Sequence, residues 1–515
     1  MTAPAYRADG RDCTREAFYA SACDPMRSVV VEACAGAGKT WMLVSRIVRA
    51  LLAGAQPHEI LAITFTRKAA GEVRQRLQQW LGEFALADQP TRIDALMERG
   101  LDRGQAEALA PTLSRLHAKV LACGRGVEIQ TFHAWFARLM RSAPIEVLER
   151  LGLQPSMDLL EDIAELRPAL MRRLYLQLLE LPDRLADYEA LVTRHGRSRI
   201  AQWLDAALDK RVEIELADAA GTLEPSVASA AQLWPACRGL QSPVERLRTD
   251  TALRAQLQQA ALVLGSARGA AAAQAATGLS RALESPDPSA AFEIAWRALF
   301  TAAGAPRKLG QQVELDRAWE SLRTLRSMID QHQAQDDHLR MARLARVLFD
   351  CWRDLKRERG LADMPDLERC AWMLLADPVL SGWMAERLDT VVRHLLIDEF
   401  QDTSPLQWHA LTAWLAGYAG AGGGASGQRP PSVFIVGDPK QSIYRFRRAE
   451  PKVFEAARDF IVQTFDGVVL ECDHTRRNAT AVVQALNSVF TQASAEQAFT
   501  GFRPHSTERA ASPAG

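Results

Sequence analysis

The sequence predicts an α/β protein: a parallel sheet flanked by helices on both faces, interrupted by a large all-helical insertion. Three observations predict it. Short Val/Ile-rich runs fall in two blocks, "SVVVEA" (28–33), "EILAITF" (59–65) and "VEIQTF" (127–132), then "VVRHLLIDEF" (391–400) and "SVFIVGD" (432–438). Nearly every run is followed by an amphipathic helical pattern, the alternation that builds parallel strands joined by covering helices. Between the blocks the chain reads as helical throughout.

The totals bound the answer without deciding it. With 515 residues the chain has length for roughly three domains. Its 48% hydrophobic and 24% charged residues are those of an ordinary soluble protein. Lys+Arg and Asp+Glu balance at 62 each, so no global basic field marks a nucleic-acid binder, and any such contact must come from local positions. The eight cysteines (13, 23, 34, 123, 237, 351, 370, 472) are scattered without CxxC or Cys/His metal spacing, which predicts reduced thiols. The N-terminus has no apolar signal core and no run is long enough to span a bilayer, so the expected location is cytoplasmic, with no membrane partner.

The first strand runs into "VVVEACAGAGKTW" (29–41), followed by the helical "WMLVSRIVRALLAG". Ala33, Cys34, Ala35, Gly36, Ala37 and Gly38 form a glycine-containing turn whose backbone N–H groups can converge on phosphate oxygens at a helix N-terminus. Lys39 would neutralise the terminal phosphates, and the Thr40 hydroxyl would ligate Mg²⁺. A strand before and a helix after are the context that such a phosphate loop requires.

In the second run, Thr64, Phe65 and Thr66 stand at a strand-to-helix junction. Thr66 is placed to cap a helix whose buried stripe is Ala70, Val73, Leu77, Trp80 and Phe84. Amides there can hold a nucleic-acid phosphate, and Phe65 can stack on a base; a core Phe beside a solvated basic face is the plainer reading. The third run repeats the device, with Thr131 and His133 at the junction and Trp135, Phe136 and Leu139 facing inward. His133 by itself reads more readily as a hydrogen-bonded structural histidine than as a DNA contact.

The insertion begins with "MDLLEDIAELRPALMRRLYLQLLE" (157–180), where Leu159, Leu160, Ile163, Leu166 and Leu170 recur at helical spacing. "GSARGAAAAQAATGLSRAL" (265–283) is Ala-rich and helical in composition. In the second block "LLIDEF" carries Asp398 and Glu399 at a strand end, where buried unpaired carboxylates would cost several kcal/mol. A phosphate-binding ATPase needs such an acid to anchor its metal, a role for Asp398, and another to orient or deprotonate water, a role for Glu399. "YAGAGGGASGQRPP" (418–431) reads as a flexible surface loop. In "GDPKQSIYRFRRAE" (437–450), Gln441 can sense a γ-phosphate or its water, while Tyr444, Phe446 and Arg447 alternate aromatic and cationic character suited to stacking on bases.

Six collinear segments carry a resemblance: "ACAGAGKT" (33–40), "LAITFTRKAAGEVRQRL" (61–77), "IQTFHAWFARLMR" (129–141), "LLIDEFQDTSPLQ" (395–407), "VGDPKQSIYRFRRAE" (436–450) and a looser "LECDHTRRNATAVVQALNSVF" (470–490). With these the chain resembles the UvrD/Rep-type superfamily-one DNA helicases, most closely their RecB/AddA-like branch. The resemblance implies a first RecA-like core over 1–141 and 376–465, a helical insertion over 142–375, and the start of a second RecA-like core over 466–515. It implies ATP and Mg²⁺ as cofactors and single-stranded or duplex-end DNA as partner, tracked 3′ to 5′ on the single strand. The expected setting is double-strand-break repair and recombination, beside other subunits of a RecBCD/AddAB-like complex.

Three departures from the family pattern stand out. Thr14 takes the place of the glutamine that usually reads the adenine edge. Arg476 replaces the adenine-stacking tyrosine, leaving Arg477 as the γ-phosphate arginine; a guanidinium can itself stack on adenine. Relaxed nucleobase selectivity is therefore expected. The sequence also stops before the later family motifs, so the chain is expected to bind nucleotide without translocating alone, since an arginine finger is worth about 10³–10⁵ in rate. Two rivals remain: a non-hydrolysing module that binds DNA or a partner, and a phosphate-loop ATPase of another kind, which leaves "QSIYRFR" and the insertion unexplained.

Overall fold

The computed structural model describes residues 5–154, 156–160, 162–387, 392–419, 430–442, 450–496, 502–507 and 509. The chain divides into two compact units, Met1–Glu161 with Arg359–Gly515, and Asp162–Glu358.

Ten strands are described: β1 (Tyr6–Ala8), β2 (Arg11–Asp12), β3 (Val29–Ala33), β4 (Ile60–Thr64), β5 (Glu128–Thr131), β6 (Asp158–Leu160), β7 (Leu361–Asp363), β8 (His394–Ile397), β9 (Ser432–Gly437) and β10 (Val468–Cys472). Eight of them form one sheet in the first unit, in the order β2-β1-β10-β3-β9-β8-β4-β5. From β10 to β5 all neighbours are parallel, and the β1–β2 hairpin closes the other edge antiparallel. This is the α/β class that the alternating runs predict, and its strands look continuously apolar because both faces are covered. Val29 and Val31 enter one core with Leu43 and Phe434, and Val30 enters the other with Ile63, Ile397 and Ile435. Side chains that alternate across the pleat account for both cores.

Several elements differ from the sequence reading. The periodicity over 157–180 suggests one helix, yet Asp158–Leu160 is a strand paired in parallel with Leu361–Asp363, and the helix begins only at Arg167. Asp162 caps the intervening 3₁₀ turn through Ala164 N at 2.8 Å, and Pro168 favours a helix start rather than an interior. The helix Arg67–Leu86 buries Leu81 where Trp80 was expected, along with Ala70, Val73, Leu77 and Phe84. The Ala-rich stretch is two helices, ending at Ser266 and restarting at Ala270. The sequence reading starts a second core at 466, whereas Val468–Cys472 joins the first sheet beside β3, with Leu470 and Cys472 buried in its core. Most of the expected loop 418–431 lies outside the described residues.

The second unit, Asp162–Glu358, is built of helices and includes the 46-residue helix Val313–Glu358. Leu257, Leu264, Leu279, Phe292, Leu322 and Leu325 share its core. Asp187, buried on the helix Pro182–His195, is held by Arg184, Arg340 and Arg343 at 2.7–3.0 Å, so the carboxylate's burial is met by charge and hydrogen bonds within the unit. No helix among the described residues is long and apolar enough to cross a membrane.

At the base of β8, His394 is 8% exposed and its Nδ1 lies 2.9 Å from Ser432 Oγ. Burial, with Arg46 repelling the charge, pushes the imidazole down to about 4. An unfolded chain would take up this proton near pH 6.5, so stability is full above that pH and falls as pH drops toward 4. His394→Gln should flatten the acid limb of the denaturant midpoint between those pH values, removing a loss of up to about 3 kcal/mol; an unchanged limb would assign the loss to other groups.

Candidate functional site

The parallel strands end along one edge of the sheet, where open α/β sheets gather their ligand-binding loops. β3 ends there in the loop that leads into the helix Lys39–Leu52. Gly36 and Gly38 hold φ of +80° and +91°, a left-handed region that side chains rarely tolerate. Gly36 is also pressed: a Cβ on it would lie 2.6 Å from Thr475 Oγ1 and 2.7 Å from Arg477 Cβ. Arg476 N donates to Gly36 O at 3.0 Å, tying the loop to residues 475–477. Gly38 caps the helix with no side-chain hydrogen bond, which leaves the first amides for an anion.

Facing this loop is the end of β8. Asp398 is 6% exposed, and burial, reinforced by Glu399 and opposed by Lys39, pushes its carboxyl up to about 7. Asp402, also buried, is pushed up to about 7 by burial and then by Glu399, and its Oδ1 has no hydrogen-bond partner. Glu399 sits at φ +49°, an uncommon conformation for a side-chain-bearing residue and one that collects at functional sites. Lys39 Nζ reaches Glu399 Oε2 at 3.3 Å.

From Glu399 a hydrogen-bonded chain crosses to the next strand. Gln401 Nε2 donates to Glu399 Oε2 at 2.8 Å. Gln401 Oε1 accepts from Asp438 N at 3.0 Å, and Asp438 Oδ2 accepts from Gln441 Nε2 at 2.6 Å. Gly437 makes room for this crossing, since a Cβ there would stand 2.4 Å from Gln401 Oε1. Gln401, Asp438 and Asp402 escaped the sequence reading. Their signal was the polar run "EFQD" directly after a buried strand, where each side chain must find a partner.

The fit to a divalent ion can be tested on these residues. One lysine faces two acids with raised carboxyls, and a buried carboxylate oxygen lacks a partner, which is a site short of positive charge. Among the described residues no three His, Cys, Asp or Glu side chains form a complete metal cage. Mg²⁺ does not require such a cage, since it takes one or two carboxylates together with phosphates and water.

The remaining predicted residues fall in three places. Thr14 is exposed and caps the helix Arg15–Ala22 through Ala17 N at 3.2 Å. On that helix Tyr19 OH accepts from Arg476 Nη2 at 3.2 Å, a partner the sequence reading did not single out. Arg477 is exposed, with its N–H on Thr475 Oγ1 at 3.3 Å. Thr40 is half-buried in the first turn after Lys39. Farther along the edge, Thr64 and Thr131 are partners in the β4–β5 register. Thr66 caps its helix through Ala69 N at 3.0 Å, and Thr131 does so through Ala134 N at 3.2 Å. Phe65 and His133 are half-buried beside them. β4 and β5 lie beyond β8, roughly 15–20 Å from β3 at the spacing of paired strands. Tyr444, Phe446 and Arg447 lie outside the described residues.

Known proteins are similar to this chain in sequence. The family model for the UvrD/REP helicase N-terminal domain matches residues 14–461. A protein of Leuconostoc mesenteroides, named as one of the subunits of an ATP-dependent helicase/nuclease, is 25% identical over 530 residues, covering 90% of this chain and 38% of the relative. Proteins of the same name from Bacillus cereus (strain AH820) and Bacillus anthracis are each 25% identical over 510 residues, covering 92% of this chain and 38% of theirs. The chain thus spans less than two-fifths of the length of these curated relatives.

Gly36→Ala should lose at least about tenfold in affinity for a fluorescent ATP analogue, because the added carbon meets Thr475 and Arg477 at a strained φ worth about 1–3 kcal/mol. Gly54→Ala, with φ +102° but open space around it, should cost stability alone. Equal binding by the two variants would show that crowding at Gly36 is irrelevant.

Proposed function

We propose that this chain, which belongs to the UvrD/REP helicase family, supplies the nucleotide site and a DNA-binding face to a motor that couples hydrolysis of ATP with Mg²⁺ to movement along DNA. The observation that carries the reading is the 3.3 Å pair between Lys39 and Glu399, which joins the two chemistry-bearing motifs across about 360 positions of sequence. The N-terminal amides of the helix, Lys39 and Thr40 hold the phosphates, and Asp398 with Thr40 holds the metal, whose contribution when bound is to neutralise phosphate charge. Phosphate oxygens compete with Glu399 for Lys39. Glu399 then keeps its hydrogen bond from Gln401 and is free to accept a proton from water. Gln441 and Arg477 sense the γ-phosphate.

On the nucleic-acid side, the paired junctions at Thr64–Thr66 and Thr131–His133 offer capped helix N-termini to a strand's phosphates, with Phe65 stacking on a base. Tyr444, Phe446 and Arg447 extend that platform. The proposed polarity is 3′ to 5′ on single-stranded DNA. The proposed role is that of a cytoplasmic RecB/AddA-like component working with partners in double-strand-break repair and recombination. The core comprises 1–161 and 359–515, with β10 in its sheet, and the helical insertion comprises 162–358 rather than 142–375. Tyr19 engages Arg476 where the family would offer an aromatic ring to adenine, which supports relaxed choice of base.

Two assays test this. Oligo-dT should stimulate ATP hydrolysis; Lys39→Ala should abolish nucleotide binding, and Glu399→Gln should bind nucleotide while losing about 10²–10⁴ in rate. Nucleotide binding with no DNA-stimulated turnover would instead favour the non-hydrolysing binding module. GTP should be hydrolysed within about tenfold of ATP, and a strict ATP preference would remove the relaxed-base reading.

A further inference from the structure

Glu368 belongs to none of the six collinear segments, yet it is one of the few acids buried in the sheet unit, at 4% exposure on the helix Met364–Ala376. A carboxylate so placed must be satisfied by hydrogen bonds or charge. Its Oε1 accepts from Gln407 Nε2 at 2.7 Å and from Ser404 Oγ at 3.4 Å, and His133 Nε2 stands 3.7 Å away. Ser404 and Gln407 cap the helix Pro405–Ala419 reciprocally: Gln407 N donates to Ser404 Oγ at 3.2 Å, and Ser404 N donates to Gln407 Oε1 at 3.1 Å. One carboxylate oxygen therefore grips both members of the cap that ends the acid segment 398–403, and the same oxygen faces His133 at the β5 junction. The helix Met364–Ala376 packs against both the helix Phe132–Arg141 and the helix Pro405–Ala419, which fixes this meeting.

We propose that Glu368 is a positioning residue that couples occupancy of the nucleic-acid junction to the nucleotide site. The inference rests on the functional reading above. A phosphate drawn to His133 competes with Glu368 for that ring. The released carboxylate shifts its hold on Ser404 and Gln407, and with it the segment bearing Asp398, Glu399 and Asp402. No contact between DNA and Glu368 is needed, since the coupling passes through a shared buried acceptor.

The test is the thermodynamic linkage between two ligands, which is reciprocal and independent of turnover. The affinity for Mg²⁺–AMP-PNP is measured with and without saturating oligo-dT in the wild-type chain, Glu368→Gln, His133→Asn and the double variant. In the wild type the strand should change nucleotide affinity at least about fivefold. Glu368→Gln should bring that factor to about one while nucleotide affinity measured alone stays within about twofold, and adding His133→Asn to it should change the factor no further. A purely structural Glu368 would lower thermal stability and leave the factor intact, and that outcome overturns the proposal. If Glu368→Gln does not fold, His133→Asn decides alone, and wild-type coupling in that variant is equally fatal. A wild-type chain that binds both ligands without linkage refutes this inference while sparing the functional reading; one that binds neither refutes the reading itself.

Discussion

The architecture around the site depends on an excess of buried negative charge at the end of β8. Asp398 and Asp402 lie in low-dielectric surroundings beside Glu399, and such a cluster is unfavourable unless a cation meets it or protons are taken up. Lys39 is the cation that arrives, and it comes from the start of a helix whose N-terminus would by itself repel a positive charge. Two locally unfavourable placements are thus relieved by each other. A triphosphate with its metal suits both at once, offering anion to the helix and cation to the acids.

Satisfying that constraint takes more than two residues. Glu399 adopts a left-handed backbone conformation, and Gln401 reaches across to Asp438 through the space Gly437 leaves. On the other side of the loop, residues 475–477 press on Gly36, so the strand register β10–β3–β9–β8 aligns four loops on one edge. The route from Gln441 through Asp438, Gln401 and Glu399 to Lys39 is continuous at 2.6–3.3 Å. Hydrogen bonds in a continuous chain of this kind polarise one another in the low-dielectric interior, so its members act together.

Much of this was legible in the sequence, for reasons that differ by residue. Two-sided burial makes parallel strands read as unbroken aliphatic runs, so β3, β4, β8 and β9 announced themselves, as did the phosphate loop through glycines that only a tight turn requires. Caps at Thr66 and Thr131 were visible because hydroxyls before a helical pattern have one common use. What stayed hidden depends on partners far away in the chain. Asp158–Leu160 looked helical because three residues cannot reveal a period and their strand partner, Leu361–Asp363, is remote in sequence. Val468–Cys472 looked like the opening of another core because nothing local says which sheet a strand will join. Gln401, Tyr19 and Glu368 are ordinary residues until the fold supplies Asp438, Arg476 and the Ser404–Gln407 cap.

The claim at the centre is that Lys39 and Asp398 serve one ligand, a nucleotide with its divalent ion. It is tested most directly by electron paramagnetic resonance of free Mn²⁺ titrated with the protein, with and without AMP-PNP, in the wild-type chain and in Asp398→Asn. The account predicts that the wild-type chain takes up Mn²⁺ tightly together with nucleotide, while Asp398→Asn still binds nucleotide but gives up its hold on the metal. Equal Mn²⁺ uptake by the two proteins would contradict it, because the acid at the end of β8 would then have no part in the site.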